Sequence, residues 1–324
     1  MSESPSVKHA VKNQFDAPAQ ELPLPEGPDV ITRNAIALNS LNPDPRSKLI
    51  FDNLIRHLHE FVRETQLTTD EWMTAIQFLT ATGQTCTPIR QEFILLSDVL
   101  GVSALVDALN NPTVGNSTQS TVLGPFFTED AADLTSGDSI ASEGKGSYLY
   151  VTGRVVDTAG RPIPNATIET WETDDHGFYD TQYSDRDHPD CRGRFKSDAH
   201  GVYAFRAVVP VAYPIPGDVC PVGQLLEKMH RHNMRPAHLH MMVEAEGFQK
   251  LITSFYPEGD KWIASDAVFG VKKSLVVKLR TVDDENEARS KGFAKGSTFK
   301  LLEQDIVLAS PEETQRARES LSKA

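Results

Sequence analysis

Tyr148–Val156 (YLYVTGRVV), the turn Asp157–Gly160 (DTAG) and Ala166–Trp171 (ATIETW) decide the fold class. The first run is rich in Val and Tyr, the second alternates apolar and polar residues, and Asp and Gly lie between them. This is the pattern of half-buried strands joined by a reversal. Working outward, similar short runs cover Tyr203–Val209, His238–Val243, Leu251–Phe255 and Ser274–Leu279. Many short strands without intervening helices predict an antiparallel β-sandwich or barrel.

The N-terminal side has a different period. From Ser47 onward, Ile50, Phe51, Leu54, Ile55, Leu58, Phe61 and Val62 recur at helical spacing and predict one buried stripe. Thr68-Thr69-Asp70-Glu71 has the form of a capping box ahead of Trp72, Ala75, Ile76 and Leu79, and a further apolar run covers 93–109. The expected fold is therefore mixed and mainly β, with a β-sandwich over 123–285 preceded by a helical module over 46–122. Residues 1–45, rich in Pro, Ser, Asn and Asp, read as an extended arm or partly ordered tail. Residues 286–324 form a charged C-terminal extension ending in a helix-like run with no evident role.

Hydrophobic residues at 39% and charged residues at 24% are those of a folded globular chain. A formal net charge of -13, with no Lys/Arg stripe, argues against nucleic acid as a partner. No stretch approaches the roughly 18 apolar residues of a membrane span, and the N-terminus lacks the apolar core of a signal peptide, so a cytoplasmic location is expected. Three widely spaced cysteines, Cys86, Cys191 and Cys220, fit reduced thiols better than a disulfide framework or zinc knuckle.

The chemistry concentrates at Arg235-Pro236-Ala237-His238-Leu239-His240. Residues two apart on a strand share a face, so the two imidazoles converge as they would on a transition metal. Two other His-x-His pairs, His57/His59 and His230/His232, fall on helical segments, where such side chains diverge. Tyr179 follows an Asp/Gly turn, and Tyr213 lies where a strand ends in prolines, so both phenols can leave a sheet edge. On these residues alone, a zinc hydrolase and a non-catalytic β-sandwich carrier with core histidines stay open beside a redox enzyme.

Gly177-Phe178-Tyr179, Val209-Pro210-x-x-Tyr213 and Arg235-Pro236-Ala237-His238-x-His240, in that order, resemble the intradiol catechol dioxygenases. The resemblance extends upstream through Glu71-Trp72, Phe78-Leu79-Thr80, Gly83-Gln84, Arg90–Asp98 and Gly124-Pro125-Phe126, and spans about residues 45–280. It implies one non-haem Fe(III) per subunit, held by Tyr179, Tyr213, His238 and His240, an aromatic diol or triol and O2 as substrates, and a homodimer formed through the helical module. A phospholipid at that helical interface is a further expectation. Tyr213 would act as a base, and Arg235 would stabilise negative charge on the ring.

Catechol-cleaving members have a glutamine where this chain has Ser254, which implies a changed pocket wall. Leu123–Phe126 and Ser265–Lys272 look like the hydroxyquinol branch, which opens benzene-1,2,4-triol, with plain catechol as the alternative substrate. By the same carry-over Leu95, Asp98, Gly124, Pro125, Phe126, Arg235 and Ser254 would line the ring pocket, with Asp98 recognising the third hydroxyl.

Overall fold

The computed structural model describes residues 20–87, 90–215 and 220–321, which fall into two compact units meeting in sequence at Gln77/Phe78. The first contains α1 (Pro28–Asn39), α2 (Pro45–Thr65) and the start of α3 (Thr69–Thr85). Asp44 caps α2 by accepting from Ser47 N at 2.9 Å, Pro45 occupies its first turn, and Gln66 ends it in the left-handed region. The capping box at α3 forms as expected, with Thr68 N donating to Glu71 at 2.9 Å and Glu71 N donating back to the Thr68 hydroxyl at 3.3 Å.

Two expectations are corrected here. The segment expected as an extended arm contains α1, started by Pro28 and docked on α2 by Asn39–Asp52 and Arg63–Thr32 hydrogen bonds; residues 1–19 lie outside the described part. The α2 stripe is not buried within the chain: Phe51, Leu54, Leu58 and Phe61 are each about half exposed. Helical periodicity specifies a face, and the described residues leave this one half exposed.

In the second unit α4 (Glu92–Val99) and α5 (Val102–Asn110) replace the single run expected over 93–109. Gly101 breaks it at φ +74, a conformation that strains any residue with a Cβ. The strands are β1 (Tyr148–Asp157), β2 (Thr167–Trp171), β3 (Arg192–Lys196), β4 (Val202–Val208), β5 (Tyr213–Pro214), β6 (Met234–Arg235), β7 (Leu239–Glu244), β8 (Leu251–Pro257), β9 (Val276–Val277), β10 (Arg280–Val282), β11 (Phe299–Glu303) and β12 (Ile306–Leu308). Helices α6 (Pro221–Lys228), α7 (Glu285–Ser290) and α8 (Pro311–Leu321) are interspersed.

One sheet runs β10-β11-β1-β12 with β4 on β1, and the other runs β3-β2-β7-β8-β9. A single apolar cluster takes Val151 and Phe205 from the first sheet and Ile168, Phe195, Leu239 and Met241 from the second. The sheets are mixed, not wholly antiparallel, because β1 pairs β11 and β12 in parallel and β8 pairs β9 in parallel. Parallel pairing needs a long return connection, and the chain between β1 and β11 supplies it. Residues of the C-terminal extension, which showed no evident role in the sequence, thus complete a sheet.

At the end of β2, Glu172 reaches across to the first sheet, where its Oε1 accepts from Val208 N at 2.9 Å. It is fully buried, Oε2 has no partner, and burial pushes its carboxyl well above the usual range. A folded-state pKa above the unfolded one contributes stability below the unfolded value near 4.5, which is lost as pH rises above it. Glu172→Gln keeps the acceptor and removes the titration. The variant's melting temperature should exceed wild type by several degrees more at pH 8 than at pH 5, and a pH-independent difference would refute the assignment.

Candidate metal centre

Four side chains meet at one end of the second sheet. Asp174 closes the turn before Tyr179 by accepting from Phe178 N at 3.2 Å. Gly177 sits there at φ +81, where a Cβ would come within 3.0 Å of the Tyr213 Cβ. Glycine therefore lets the two tyrosines approach. Tyr213 lies on the short β5–β6 ribbon, directly opposite Arg235.

His238 immediately precedes β7 and His240 lies on it. Cross-strand register aligns Trp171, His240 and Ser254 in one row over β2, β7 and β8. Trp171 stacks on the His240 ring with centroids 4.8 Å apart and planes 5° from parallel, and the Ser254 hydroxyl is 2.8 Å from His240 Nδ1. Phe126 likewise stacks on Tyr179, at 4.5 Å.

The donor atoms converge. Tyr179 Oη is 3.4 Å from both Tyr213 Oη and His238 Nε2, and the two Nε2 atoms are 3.0 Å apart. His238 Nδ1 donates to Pro236 O at 2.7 Å, which leaves its Nε2 as a lone pair facing His240. Burial, with Arg235 adding to it, pushes His238 well below the ordinary histidine range, and burial with His238 beside it does the same to His240. Burial and the neighbouring Tyr213 hold the Tyr179 phenol well above its ordinary value.

Neutral imidazoles with their Nε2 atoms turned inward beside two buried phenols are a donor set that a cation would complete, and phenolates suit a hard ferric ion. Two phenols beside two imidazoles are unlike the usual ligands of zinc, and among the described residues no group of three or more His, Cys, Asp or Glu is placed to hold a metal ion. The other His-x-His pairs do not converge on a site: His59 bonds Thr32, His57 faces Glu60, and His232 packs against Trp262. The segment Met229–His232, read as a helical turn, lies just past α6, with His230 in the left-handed region.

A cavity of about 370 Å³ opens beside this cluster, lined by Leu95, Asp98, Gly124, Pro125, Phe126, Tyr213 and Arg235. Leu95 and Asp98 are buried on α4, which packs on α6 through Val222 and Leu226. Burial raises the Asp98 carboxyl above its ordinary value, opposed by the Ser103 hydroxyl and Arg235. Ser254 does not line the cavity, contrary to the expected wall position, and lies behind His240 because the register turns it toward Nδ1. Gln91, Glu92 and Val268, which fall inside the resembling stretches but were not singled out, also line it, as does Thr181, which carried no motif by which to be found.

The profile described as Dioxygenase matches residues 122–309, and that described as Catechol dioxygenase N terminus matches 44–118. An Aspergillus niger intradiol ring-cleavage dioxygenase is 49% identical over 91% of this chain and 88% of its own. The chain belongs to the intradiol dioxygenase family. A hydroxyquinol 1,2-dioxygenase of Rhizobium is 49% identical over 82% of this chain and 90% of its own. The crystal structure of hydroxyquinol 1,2-dioxygenase from Pseudomonas putida superposes with a TM-score of 0.79 at 44% identity, covering 87% of this chain and 98% of that one.

In an intradiol dioxygenase built this way, the Ser254 hydroxyl meets His240 Nδ1 on the side of the ring away from His238. Ser254→Ala should weaken iron binding about 10–100-fold with the cavity intact, read by competition with a chelator. Unchanged affinity would show that Trp171 stacking alone holds the ring.

Proposed function

We propose that the chain holds one ferric ion through Tyr179, Tyr213, His238 and His240 and opens hydroxyquinol between its two adjacent oxygenated carbons. Both atoms of O2 enter the two new carboxyl groups, and the product tautomerises to maleylacetate. The single observation that carries this reading is the convergence of two phenols and two neutral imidazoles beside a cavity that also presents a buried carboxyl, Asp98. Ferric iron held there supplies a Lewis acid for the two ring oxygens and the redox centre that lets the ring react with oxygen.

The chain's own residues divide the remaining work. Of the four ligand residues only Tyr213 lines the cavity, so its Oη is placed to take a proton from an entering hydroxyl. Arg235, buried and fixed, places a cation against negative charge developing on the ring. Leu95 and Phe126 flank the ring and exclude water, and Asp98 recognises the third hydroxyl. Catechol, lacking that hydroxyl, is the alternative substrate.

The two sheets sharing one core are read as the faces of a β-sandwich that begins near 123 and runs past the expected limit of 285 to β12, and the module over 46–122 as the homodimer element. The exposed α2 stripe supports the latter. Sedimentation tests the dimer, and lipid extraction tests for phospholipid along that face. Among the described residues no helix is long and apolar enough to cross a membrane. A cytoplasmic location remains part of the proposal.

The deciding experiment is anaerobic titration of the iron-quantified protein with hydroxyquinol and, separately, catechol, followed by admission of oxygen. The expected result is a visible phenolate-to-iron band that shifts on binding and returns as the ring opens, with hydroxyquinol the faster. A colourless, zinc-loaded or metal-free protein without turnover overturns the proposal.

A further inference from the structure

The loop Asp266–Gly270 is folded around its own first carboxylate. Asp266 Oδ1 accepts from Val268 N at 3.3 Å and Oδ2 from Gly270 N at 2.9 Å. The same two oxygens receive Arg235, Nε at 3.2 Å and Nη2 at 3.3 Å, in a bidentate pair whose side chains are 4% and 2% exposed. That leaves one corner of the guanidinium, and Nη1 points to His238 Nε2 at 3.0 Å. A planar guanidinium held along one edge has only one way to face.

The loop is shaped for this contact. A Cβ on Gly270 would lie 2.9 Å from Tyr256 Oη, 3.0 Å from Arg235 Nη2 and 3.1 Å from Asp266 Oδ2, so any larger residue there would press on the pair itself. Thr121 Oγ1 anchors its carbonyl at 2.6 Å. Phe269 is held at φ +59, a conformation costly for a bulky side chain that persists only where its surroundings impose it. Burying the arginine without a counter-charge would be strongly unfavourable.

We infer that Asp266 is a positioning residue of the ring-opening reaction, acting only through Arg235 by fixing the guanidinium plane so that Nη1 faces the metal-side end of the cavity. This rests on the proposed role of Arg235. Displacing a catalytic group by about 1 Å can cost about 10²-fold in rate.

The test is a double-mutant cycle with Asp266→Asn, Arg235→Met and the pair. It is read as kcat and KM for hydroxyquinol, as iron content and resting absorption, and as melting of the iron-free chains. Asp266→Asn should lower kcat about 10²-fold with iron and absorption retained and KM little changed, and should cost nothing further once Arg235 is Met. Losses that multiply in the double variant overturn the inference.

If Asp266→Asn does not fold, restoration of folding by Arg235→Met supports the pairing, because the unpaired buried charge is then what unfolds it. No restoration would make Asp266 a loop brace and overturn the inference. An Arg235→Met enzyme as fast as wild type would sink the catalytic reading of Arg235 and this inference with it, whereas multiplicative losses sink this inference alone.

Discussion

Asp98→Ala should lower the ratio of hydroxyquinol to catechol turnover by about 10²–10⁴-fold, chiefly through loss of the hydroxyquinol rate. A site that bonds a hydroxyl rejects the analogue lacking it because a buried polar group is then left unpaired, whereas apolar bulk discriminates only weakly. Asp98 is 2% exposed and lines the cavity from α4. Desolvation raises its carboxyl above the ordinary value, opposed by the Ser103 hydroxyl and Arg235, and its oxygens are the polar atoms that α4 offers to the third hydroxyl. Competing the two substrates in one vessel measures the ratio directly, and an unchanged ratio removes Asp98 from substrate recognition.

The second large effect concerns stability. Arg192 is buried and pairs with Asp180, the residue after Tyr179, while also donating to the Phe126 carbonyl at 3.2 Å and the Thr128 hydroxyl at 2.7 Å. Asp180→Ala leaves that guanidinium buried without its counter-charge, which costs about 3–5 kcal/mol, read as a melting temperature lower by roughly 10 °C. Adding Arg192→Met should recover most of the loss. A single variant that melts like wild type would show that the pair is neutral and that Phe126 owes its stacking on Tyr179 to shape alone.

What could be read in advance follows one physical divide. Local periodicity placed β1, β2, β4, β7 and β8 within a residue or two, and the capping box located the start of α3, because those signals lie within a few residues of what they specify. The His238/His240 pair was readable for the same reason. Two tyrosines far apart in sequence were not separable from ordinary core tyrosines without the resemblance to a family.

Strand β3 (RGRFK) escaped notice because its burial is provided by partners and not by alternation. The exposed α2 stripe was misplaced because amphipathicity says that a face will be covered and not by what. Register decided Ser254: read outward from His240 it belongs to the pocket wall, but cross-strand pairing turns it behind the ring. The Arg235–Asp266 and Arg192–Asp180 pairs join residues that no short-range pattern connects.

The two C-terminal strands have a consequence for how this chain is made. During synthesis β1 can pair with β4 soon after both emerge, but its opposite edge, from Leu149 to Asp157, has no partner until residues 299–308 leave the ribosome. At the usual 5–20 residues per second that interval lasts on the order of 10–30 s. For that time the nascent chain presents an open, apolar strand edge of the kind that recruits other chains. Slow, late-closing topology thus makes the hazard of this fold one of timing, greatest before the C-terminal strands arrive and gone once they have closed the edge.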